Sequence, residues 1–510
     1  MRMNYRHLIT VSIALTLMLG GCAAVGPDFE KPEADIPDSW NQPTEAGLET
    51  SPHALVEWWK LFDDPVLDGL VETALRNNNT LEIAGLRVLE AQAQLGIATG
   101  LKYPQVQAAA GDATYISPPD NSGVTSNYWQ FGLGASASWE IDFWGRFRRG
   151  IESADAAFMA SIAAYDQARV VMTAAVVDLY TVIRTTEEQL RISNENVKIQ
   201  QRSYDIARVL YENGADSELD MQQANTLLLS TQASIPGLEI ALAQTRNALS
   251  TLLNVAPGEV KSLMSQGSGL PAVPDNIAIG IPADMLRRRP DVRQAEYLAM
   301  AQNARIGLAK ADLYPSFSIT GSIGVSSNTL GDSDFGDLFS SDALAWSIGP
   351  NFVWPFLNYG RIKNNVRVQD ARLQQLIESY QQAVLQAAQE VDNAAISVQK
   401  TAETDDLLLE TVVAAKRSLE LATDRYSEGY SDFQRVLDAQ RFLAVQADRL
   451  TEVSGQVSSN LVAIYKALGG GWQIREGKEI LSTENKNAMT NRTRWGGLLG
   501  PEGLDLPVVE

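Results

Sequence analysis

Four short segments of the chain alternate between apolar and small or polar residues, the period-two pattern of a β-strand with two different faces. The alternation is clean at 129–141, 316–325 and 344–354 and weaker at 105–115. In the first of these segments the apolar residues occupy the odd positions: Trp129, Phe131, Leu133, Ala135, Ala137, Trp139 and Ile141. The sequence therefore predicts four strands of about ten residues each.

Two long segments without glycine or proline predict helices of unusual length. Residues 151–213 and 361–428 contain neither residue type. At about 1.5 Å per residue, each would form a helix roughly 95–100 Å long. Helices in globular domains rarely exceed about 25 residues, so these lengths indicate a coiled-coil-like assembly. A shorter helix is predicted after Pro65, with an apolar face formed by Leu67, Leu70, Val71, Ala74 and Leu75.

The predicted elements occur twice along the chain. Gly145 and Gly360 stand just before the two long helices, and Gly214 and Gly429 follow their ends. Both pairs of glycines are separated by 215 residues. The 510 residues are therefore interpreted as two similar halves rather than as unrelated domains. We place the two repeats at 64–270 and 271–472.

The first residues of the chain predict export and lipid attachment. Arg2 and Arg6 precede an apolar run that ends at Leu19 and is too short to span a bilayer comfortably. Leu19-Gly20-Gly21-Cys22 then forms a bacterial lipobox. Residues 1–21 are therefore interpreted as a signal peptide, and Cys22 as the site of a covalent lipid. The alternative is an ordinary signal peptide followed by an incidental cysteine.

The residues on either side of the two repeats are interpreted as connecting segments. Ala23, rather than Asp, follows the cysteine, and in enteric-type sorting this predicts the outer membrane of a Gram-negative bacterium. Residues 22–63 begin with a segment rich in Pro, Glu and Asp and are interpreted as an extended, lipid-anchored tether. Residues 473–510 are interpreted as a C-terminal tail in the periplasm.

The charge of the chain argues against nucleic acid as a partner. The formal net charge is −21 and the sequence pI is about 4.6, whereas nucleic-acid binding requires a basic surface. A short basic run, Arg287-Arg288-Arg289, precedes Pro290 at a predicted helix start. We expect these three arginines to be solvated.

The chain offers few groups for catalysis or metal binding. Only His7 and His53 are present, and His7 lies in the predicted signal peptide. The single Cys22 excludes an internal disulfide and a cysteine-cluster zinc site. Gly132 and Gly134 lie in a strand pattern rather than before a helix, so they do not indicate a phosphate loop. We therefore expect no enzyme activity and no cofactor beyond the lipid on Cys22.

The strands suit a transmembrane β-barrel, with lipid on the apolar face and water on the polar face. An ordinary β-sandwich is the alternative. Tryptophans near the strand ends favour an interfacial belt, although core packing would also explain them: Trp129, Trp139, Trp144, Trp346 and Trp354. Four strands cannot close a barrel in lipid, so the chain must oligomerise. Two copies would give eight strands with a filled interior, and three would give twelve with room for a lumen.

Several motifs together resemble the TolC-like outer membrane factors, in the lipoprotein branch that serves drug-efflux pumps. The resemblance covers residues 22–472. Its motifs are Cys22 with Val25-Gly26-Pro27-Asp28-Phe29-Glu30-Lys31-Pro32, Trp58-Trp59 with Phe62-Asp63-Asp64-Pro65, Ile281-Pro282-Ala283-Asp284-Met285-Leu286, Arg289-Pro290-Asp291-Val292, Ala295-Glu296, Tyr314-Pro315, Tyr426 with Gly429, and Val436-Leu437-Asp438-Ala439-Gln440-Arg441.

The resemblance implies an α+β membrane protein that forms a homotrimer. Each protomer would give four strands to a twelve-stranded transmembrane barrel, continued by a long periplasmic barrel of helices. The helices at 151–213 and 361–428 would be uninterrupted. The other helices would stack in pairs, at about 64–101, 216–252, 284–312 and 430–468.

The resemblance also implies a gate at the periplasmic end of the channel. Tyr426 matches the family's aperture tyrosine, Asp438 an aspartate of the constricting ring, and Asp220 an acidic aperture residue. Ser431 and Arg435 depart from the arginine and the second aspartate that some members carry. Arg435 could pair with Asp438 or Asp220. For Asp438, Asp220 and Arg435, a solvated helix face is the alternative.

The function implied by the resemblance is a passive exit channel of a tripartite efflux pump. Its partners would be a periplasmic adaptor, docking near 211–220 and 426–438, and an inner-membrane transporter driven by protons. The same channel could serve type I protein secretion or metal-ion efflux. The chain could instead be a lipid-anchored helical scaffold without a pore, or an enzyme on a lipid anchor.

Overall fold

A computed structural model describes residues 24–33, 56–272, 284–475 and 479–499, apart from 120, 122, 125, 268 and 332. The predicted signal peptide, Cys22, Ala23, most of the tether and the last residues of the tail lie outside the described residues. The described chain falls into two compact units. The strand unit holds 24–33, 88–161 and 294–381, and the helical unit holds 56–87, 162–293 and 382–499.

The strand unit is built on one antiparallel sheet. Its strands are β1 (Val106–Ile116), β2 (Tyr128–Ile141), β3 (Ser316–Asn328) and β4 (Leu344–Val353), in the spatial order β1-β2-β3-β4. The four predicted strands are therefore confirmed. Within the protomer, β1 pairs only with β2 and β4 only with β3. One edge of each outer strand consequently has no strand partner among the described residues.

The register of the sheet separates two chemically different faces. On the apolar face Leu133 lies opposite Val325, and Ile323 lies opposite Trp346. On the small-polar face the row runs Ser136–Ser322–Ser347, with the hydroxyl oxygens of Ser322 and Ser347 2.9 Å apart. The alternation in the sequence therefore predicted the faces correctly, because strand pairing keeps residues of like kind in register.

The tryptophans near the strand ends are not core residues of this protomer, with one partial exception. Trp129, Trp139, Trp346 and Trp354 are all exposed. Trp144 is half-buried, and its indole nitrogen donates to the Pro315 carbonyl at 2.9 Å. Exposed aromatic side chains on an isolated protomer fit an interface with lipid or with another chain.

Ten α-helices account for most of the remaining described chain. Two of them contain 67 residues each, roughly 100 Å of helix, and confirm the predicted long helices. Every helix among the described residues is too short or too polar to cross a lipid bilayer. The helices are α1 (Pro65–Asn77), α2 (Asn79–Gly100), α3 (Arg146–Glu212), α4 (Glu218–Leu253), α5 (Glu259–Leu263), α6 (Asp284–Arg288), α7 (Pro290–Ala311), α8 (Arg361–Ser427), α9 (Phe433–Ala467) and α10 (Thr483–Arg492).

One expectation about the basic run at the start of α7 is wrong. Arg287 and Arg288 are exposed, but Arg289 is only 4% exposed. Its guanidinium forms salt bridges of 2.7 Å with both Asp291 and Glu390, and it donates to a backbone carbonyl at the end of α9 at 2.6 Å. Its distant acceptors lie 101 and 178 residues away in sequence, so local composition could not reveal them.

The segment that follows Cys22 is fixed on the strand unit. Arg149 donates to the carbonyls of Val25 and Gly26 and forms a 2.7 Å salt bridge with Asp28. A Cβ placed on Gly307 would lie 2.7 Å from the Val25 carbonyl oxygen, so the absence of a side chain there lets the segment approach closely. Residues 24–33 of the predicted tether are therefore held by specific contacts, without helix or strand.

The tail, for which the sequence predicted no structure, is docked in the helical unit. Ile480 and Leu481 are buried just before α10. The Glu82 carboxylate of α2 accepts hydrogen bonds from the Ser482 backbone amide at 2.9 Å and the Ser482 hydroxyl at 2.8 Å. It also accepts one from the Asn485 side-chain amide at 2.7 Å. One carboxylate thus holds the start of α10 across 400 residues of sequence.

We expect Glu82→Ala to release the docked tail, because three donors would lose a half-buried charged acceptor, a change of about 1–3 kcal/mol. Limited proteolysis with mass spectrometry should then show faster cleavage near 479–492. Glu90→Ala is the matched control, because it removes an exposed carboxylate that accepts a hydrogen bond from Gln94 on the same helix. Equal cleavage of both variants and the unaltered protein would contradict the role of Glu82.

Candidate functional site

The two long helices end in turns of the same construction. α3 ends at Glu212, where the Gly214 amide donates to the Tyr211 carbonyl and the Ala215 amide to the Leu210 carbonyl. After α8 the Gly429 and Tyr430 amides form the matching pair of bonds. Both glycines have positive φ, +71° and +78°. This left-handed end is the Schellman arrangement that favours glycine, and it explains why the repeat preserves both glycines.

A small hydrophobic cluster joins the ends of four helices next to these turns. We call it the tip cluster; its buried members come from α3, α4 and α9: Ala207, Ala224, Leu227, Phe433, Val436 and Leu437. Tyr426 and two further side chains of α8, Leu419 and Ala422, pack against it. The Tyr426 ring lies 5.1 Å from that of Phe433. Packing of these side chains therefore ties the two turns into one structure.

A hydrogen bond connects the two turns directly. The Tyr426 hydroxyl donates to Oδ2 of Asp216 at 2.8 Å. Burial would raise the pKa of Asp216, but the hydrogen bonds from Tyr426 and from the Ser217 amide outweigh it and lower that pKa. Burial and the Asp216 charge raise the pKa of Tyr426, which stays a neutral donor.

Asp220 belongs to the same group of polar side chains. Ser217 caps α4 by accepting from the Asp220 amide at 3.2 Å, and its hydroxyl donates to the Asp220 carboxylate at 2.7 Å. Burial raises the pKa of Asp220, the bond from Ser217 lowers it, and the nearby charges of Asp216 and Asp432 raise it further. The first turn therefore carries two interacting carboxylates, of which Asp216 stays ionised more readily.

The other two predicted gate residues lie apart from this group. Asp438 and Arg435 are exposed side chains on α9. Asp438 accepts from Gln434 at 2.8 Å and lies 3.8 Å from an Arg441 nitrogen. Arg435 forms no salt bridge with any residue that the structure describes. The pairing of Arg435 with Asp438 or Asp220 is therefore not found within the described part of the protomer.

Sequence reasoning missed Asp216, although a signal was present. The shift of 215 matches Asp216 with Ser431 and Tyr426 with Tyr211. Tyr211 is exposed and lacks the contact that Tyr426 makes. The two copies of the turn therefore share a backbone and differ in their polar side chains. The difference at 216 and 431 could have been read from the repeat alone.

No metal site accompanies these carboxylates in the part of the chain that the structure describes, where no group of three or more His, Cys, Asp or Glu side chains could hold an ion.

We expect Tyr426→Phe to loosen the turns, because Asp216 would lose a charge-assisted hydrogen bond of about 1 kcal/mol, equivalent to roughly fivefold easier opening. Hydrogen exchange of peptides covering 207–221 should accelerate accordingly. Tyr211→Phe, which removes the exposed hydroxyl of the other copy, should leave exchange unchanged. Equal effects of the two substitutions would contradict this assignment.

The same bond gives the turns a predicted pH dependence. Because the folded state lowers the pKa of Asp216, the bond's contribution is complete above the usual aspartate range and is lost as the pH falls through the lowered value. The difference between Tyr426→Phe and the unaltered protein should therefore disappear in acid. A difference that persists below the aspartate range would contradict the prediction.

Comparisons with known proteins show the family. Residues 70–255 and 281–470 match the model of the family described as outer membrane efflux protein. The chain is 32% identical over 485 residues to the probable efflux pump outer membrane protein TtgC of Pseudomonas putida. The matched region covers 92% of this chain and 96% of that protein. It is 29% identical over 469 residues to the probable outer membrane lipoprotein SilC of Salmonella typhimurium, covering 91% and 98%.

A solved structure shows the same fold. The outer-membrane channel OprN is 33% identical and superposes with a TM-score of 0.80, covering 88% of this chain and 100% of that chain. The family match, the relatives and the fold confirm the resemblance carried by the sequence motifs. The chain belongs to the outer membrane efflux protein family and is an outer membrane channel of an efflux pump.

Proposed function

We propose that three copies of the chain form a passive exit duct of a tripartite efflux pump, with a twelve-stranded barrel and a tunnel of helices. The sheet carries this proposal. It has one apolar face and one small-polar face, and its outer strands, β1 and β4, each have one edge without a strand partner among the described residues. Closing the edges against neighbouring copies would satisfy the backbone groups that lipid cannot. Twelve strands would leave a lumen lined by the small-polar face.

The proposed partners are a periplasmic adaptor and a proton-driven inner-membrane transporter. A relative named as the outer membrane protein of an efflux pump supports the assembly. The proposed adaptor site is the pair of turns, where Tyr211, Leu219 and Tyr430 are 39%, 65% and 74% exposed. Exposed apolar side chains at the end of a helical assembly are typical of a docking surface.

The proposed gate consists of Asp438, Asp220, Tyr426 and Arg435. In a trimer the exposed Asp438 carboxylates would form one ring about the three-fold axis, which would attract cations and resist crowding. The bond from Tyr426 to Asp216 favours one packing of the four helix ends. Adaptor contacts would open the duct by favouring a second packing.

The proposed anchor is a lipid on Cys22, after removal of residues 1–21. A relative named as an outer membrane lipoprotein supports it. The fixed segment at 24–33 would keep the lipid next to the strand unit. We also propose the domain limits given by the repeats: a tether at 22–63, repeats at 64–270 and 271–472, and a periplasmic tail at 473–510.

We expect the purified protein to form channels in planar lipid bilayers, and Asp438→Ala to raise their conductance or weaken block by divalent cations. The reason is that the substitution removes a charged ring at the constriction. Asp205→Ala, which removes a carboxylate on α3 whose side chain is 46% exposed, is the control. If the unaltered protein forms no channels, the proposed duct is wrong. If Asp438→Ala leaves the currents unchanged, the proposed ring of Asp438 carboxylates is wrong.

Lipid attachment has its own test. We expect Cys22→Ser to abolish incorporation of labelled fatty acid, because serine cannot form the thioether to diacylglycerol. Labelling of bacteria that express each variant, followed by purification, measures the incorporation. Label that persists in Cys22→Ser would show that the lipobox interpretation is wrong.

A further inference from the structure

One charged side chain lies midway along the edge strand β1 without a partner among the described residues. The four strands contain two ionisable carboxylates, Asp112 on β1 and Glu140 near the end of β2. Glu140 lies 3.4 Å from Arg146. Asp112 forms no hydrogen bond or salt bridge with any residue that the structure describes. An unpaired charge in a strand of a membrane channel is costly unless it faces water.

The strand register places Asp112 on the small-polar face. Asp112 lies opposite Gly132, and Gly132 lies opposite Ser326 on β3. The residues along β2 on the same face are Gly, Ser, Gln and Glu, with Tyr128 at the strand end. The neighbours of Gly132 in the chain, Phe131 and Leu133, belong to the apolar face. The carboxylate therefore points away from the face that would contact lipid.

The sheet leaves room for this carboxylate. A Cβ placed on Gly132 would lie only 2.5 Å from Oδ1 of Asp112, so a side chain at 132 would collide with it. The residues across the sheet from it, Gly132 and Ser326, are small, and none of the four strands contains a basic side chain. The charge is thus neither covered nor neutralised by the described part of the protomer.

We propose that Asp112 is a charge-selectivity residue of the barrel, separate from the gate at the helix turns. This inference rests on the proposed trimeric channel. Three-fold symmetry would place three Asp112 carboxylates at one level of the lumen, where they favour cations and cationic substrates over anions. At about one Debye length from each carboxylate, three charges raise the local cation concentration about twofold.

The test is the cation-to-anion permeability ratio, obtained from reversal potentials of single channels under a salt gradient. Asp112→Asn keeps the size of the side chain and removes its charge. The ratio should fall about fourfold, because cations lose a twofold enrichment and anions lose a twofold depletion. Size-exclusion chromatography with light scattering confirms that the variant still assembles. An unchanged ratio in assembled Asp112→Asn channels would overturn the proposal.

Chemical labelling gives a second test, in which the permeability ratio should depend on the charge of the reagent. The chain's one native cysteine, Cys22, lies at the proposed lipid anchor, so Asp112→Cys introduces a single reactive thiol into the barrel. A negatively charged methanethiosulfonate should restore the cation preference, and a positively charged one should lower the ratio below that of Asp112→Asn. A response that does not depend on the sign of the reagent would overturn the proposal.

A substitution at the proposed gate distinguishes failure of the Asp112 proposal from failure of the proposed duct. Asp438→Asn removes the same charge at the helix turns. If it alters the ratio while both Asp112 variants do not, the barrel site is wrong and the duct stands. If the unaltered protein forms no channels, both the duct and the barrel site are wrong.

Discussion

Unpaired backbone groups at the two edges of the sheet are the constraint on which the molecule depends. Within the described protomer, β1 and β4 each use only one side for strand pairing. In water such edges are tolerated, but in hydrocarbon each unpaired group costs several kcal/mol. A sheet with an apolar face therefore demands neighbours that continue it. This demand calls for more than one copy of the chain, and the need for a lumen is why we propose three.

The repeat explains how one chain builds two equivalent helix turns and still makes them different. Glycine at 214 and 429 fixes the same backbone in both copies, because both positions require positive φ. The side chains then diverge, so that only Tyr426 reaches a carboxylate across the turn. Two turns with the same backbone but different polar side chains can favour one packing of the helix ends while a second packing stays close in energy. That property suits the opening and closing of the proposed gate.

Buried or half-buried charges hold distant parts of the helical unit in register. Arg475 and Asp166 form a 2.6 Å ion pair that is almost fully buried, and Arg289 bridges to Glu390. Such pairs add little net stability once desolvation is counted, but removing one partner is strongly destabilising. Their effect is to fix which helices meet, in a set of Ala- and Gln-rich helices whose apolar contacts alone are less specific.

The sequence by itself determined the strands, their two faces, the long helices, the repeat and the family, because these depend on local periodicity, on glycine and proline, and on motif order. It also placed Tyr426, Asp220, Asp438 and Arg435 near the turns. Only the tertiary structure decided the contact between Tyr426 and Asp216, the burial of Arg289 and the docking of the tail on Glu82. These contacts join residues that lie from 101 to 403 positions apart. Their partners depend on how helices pack in three dimensions, which no local pattern records.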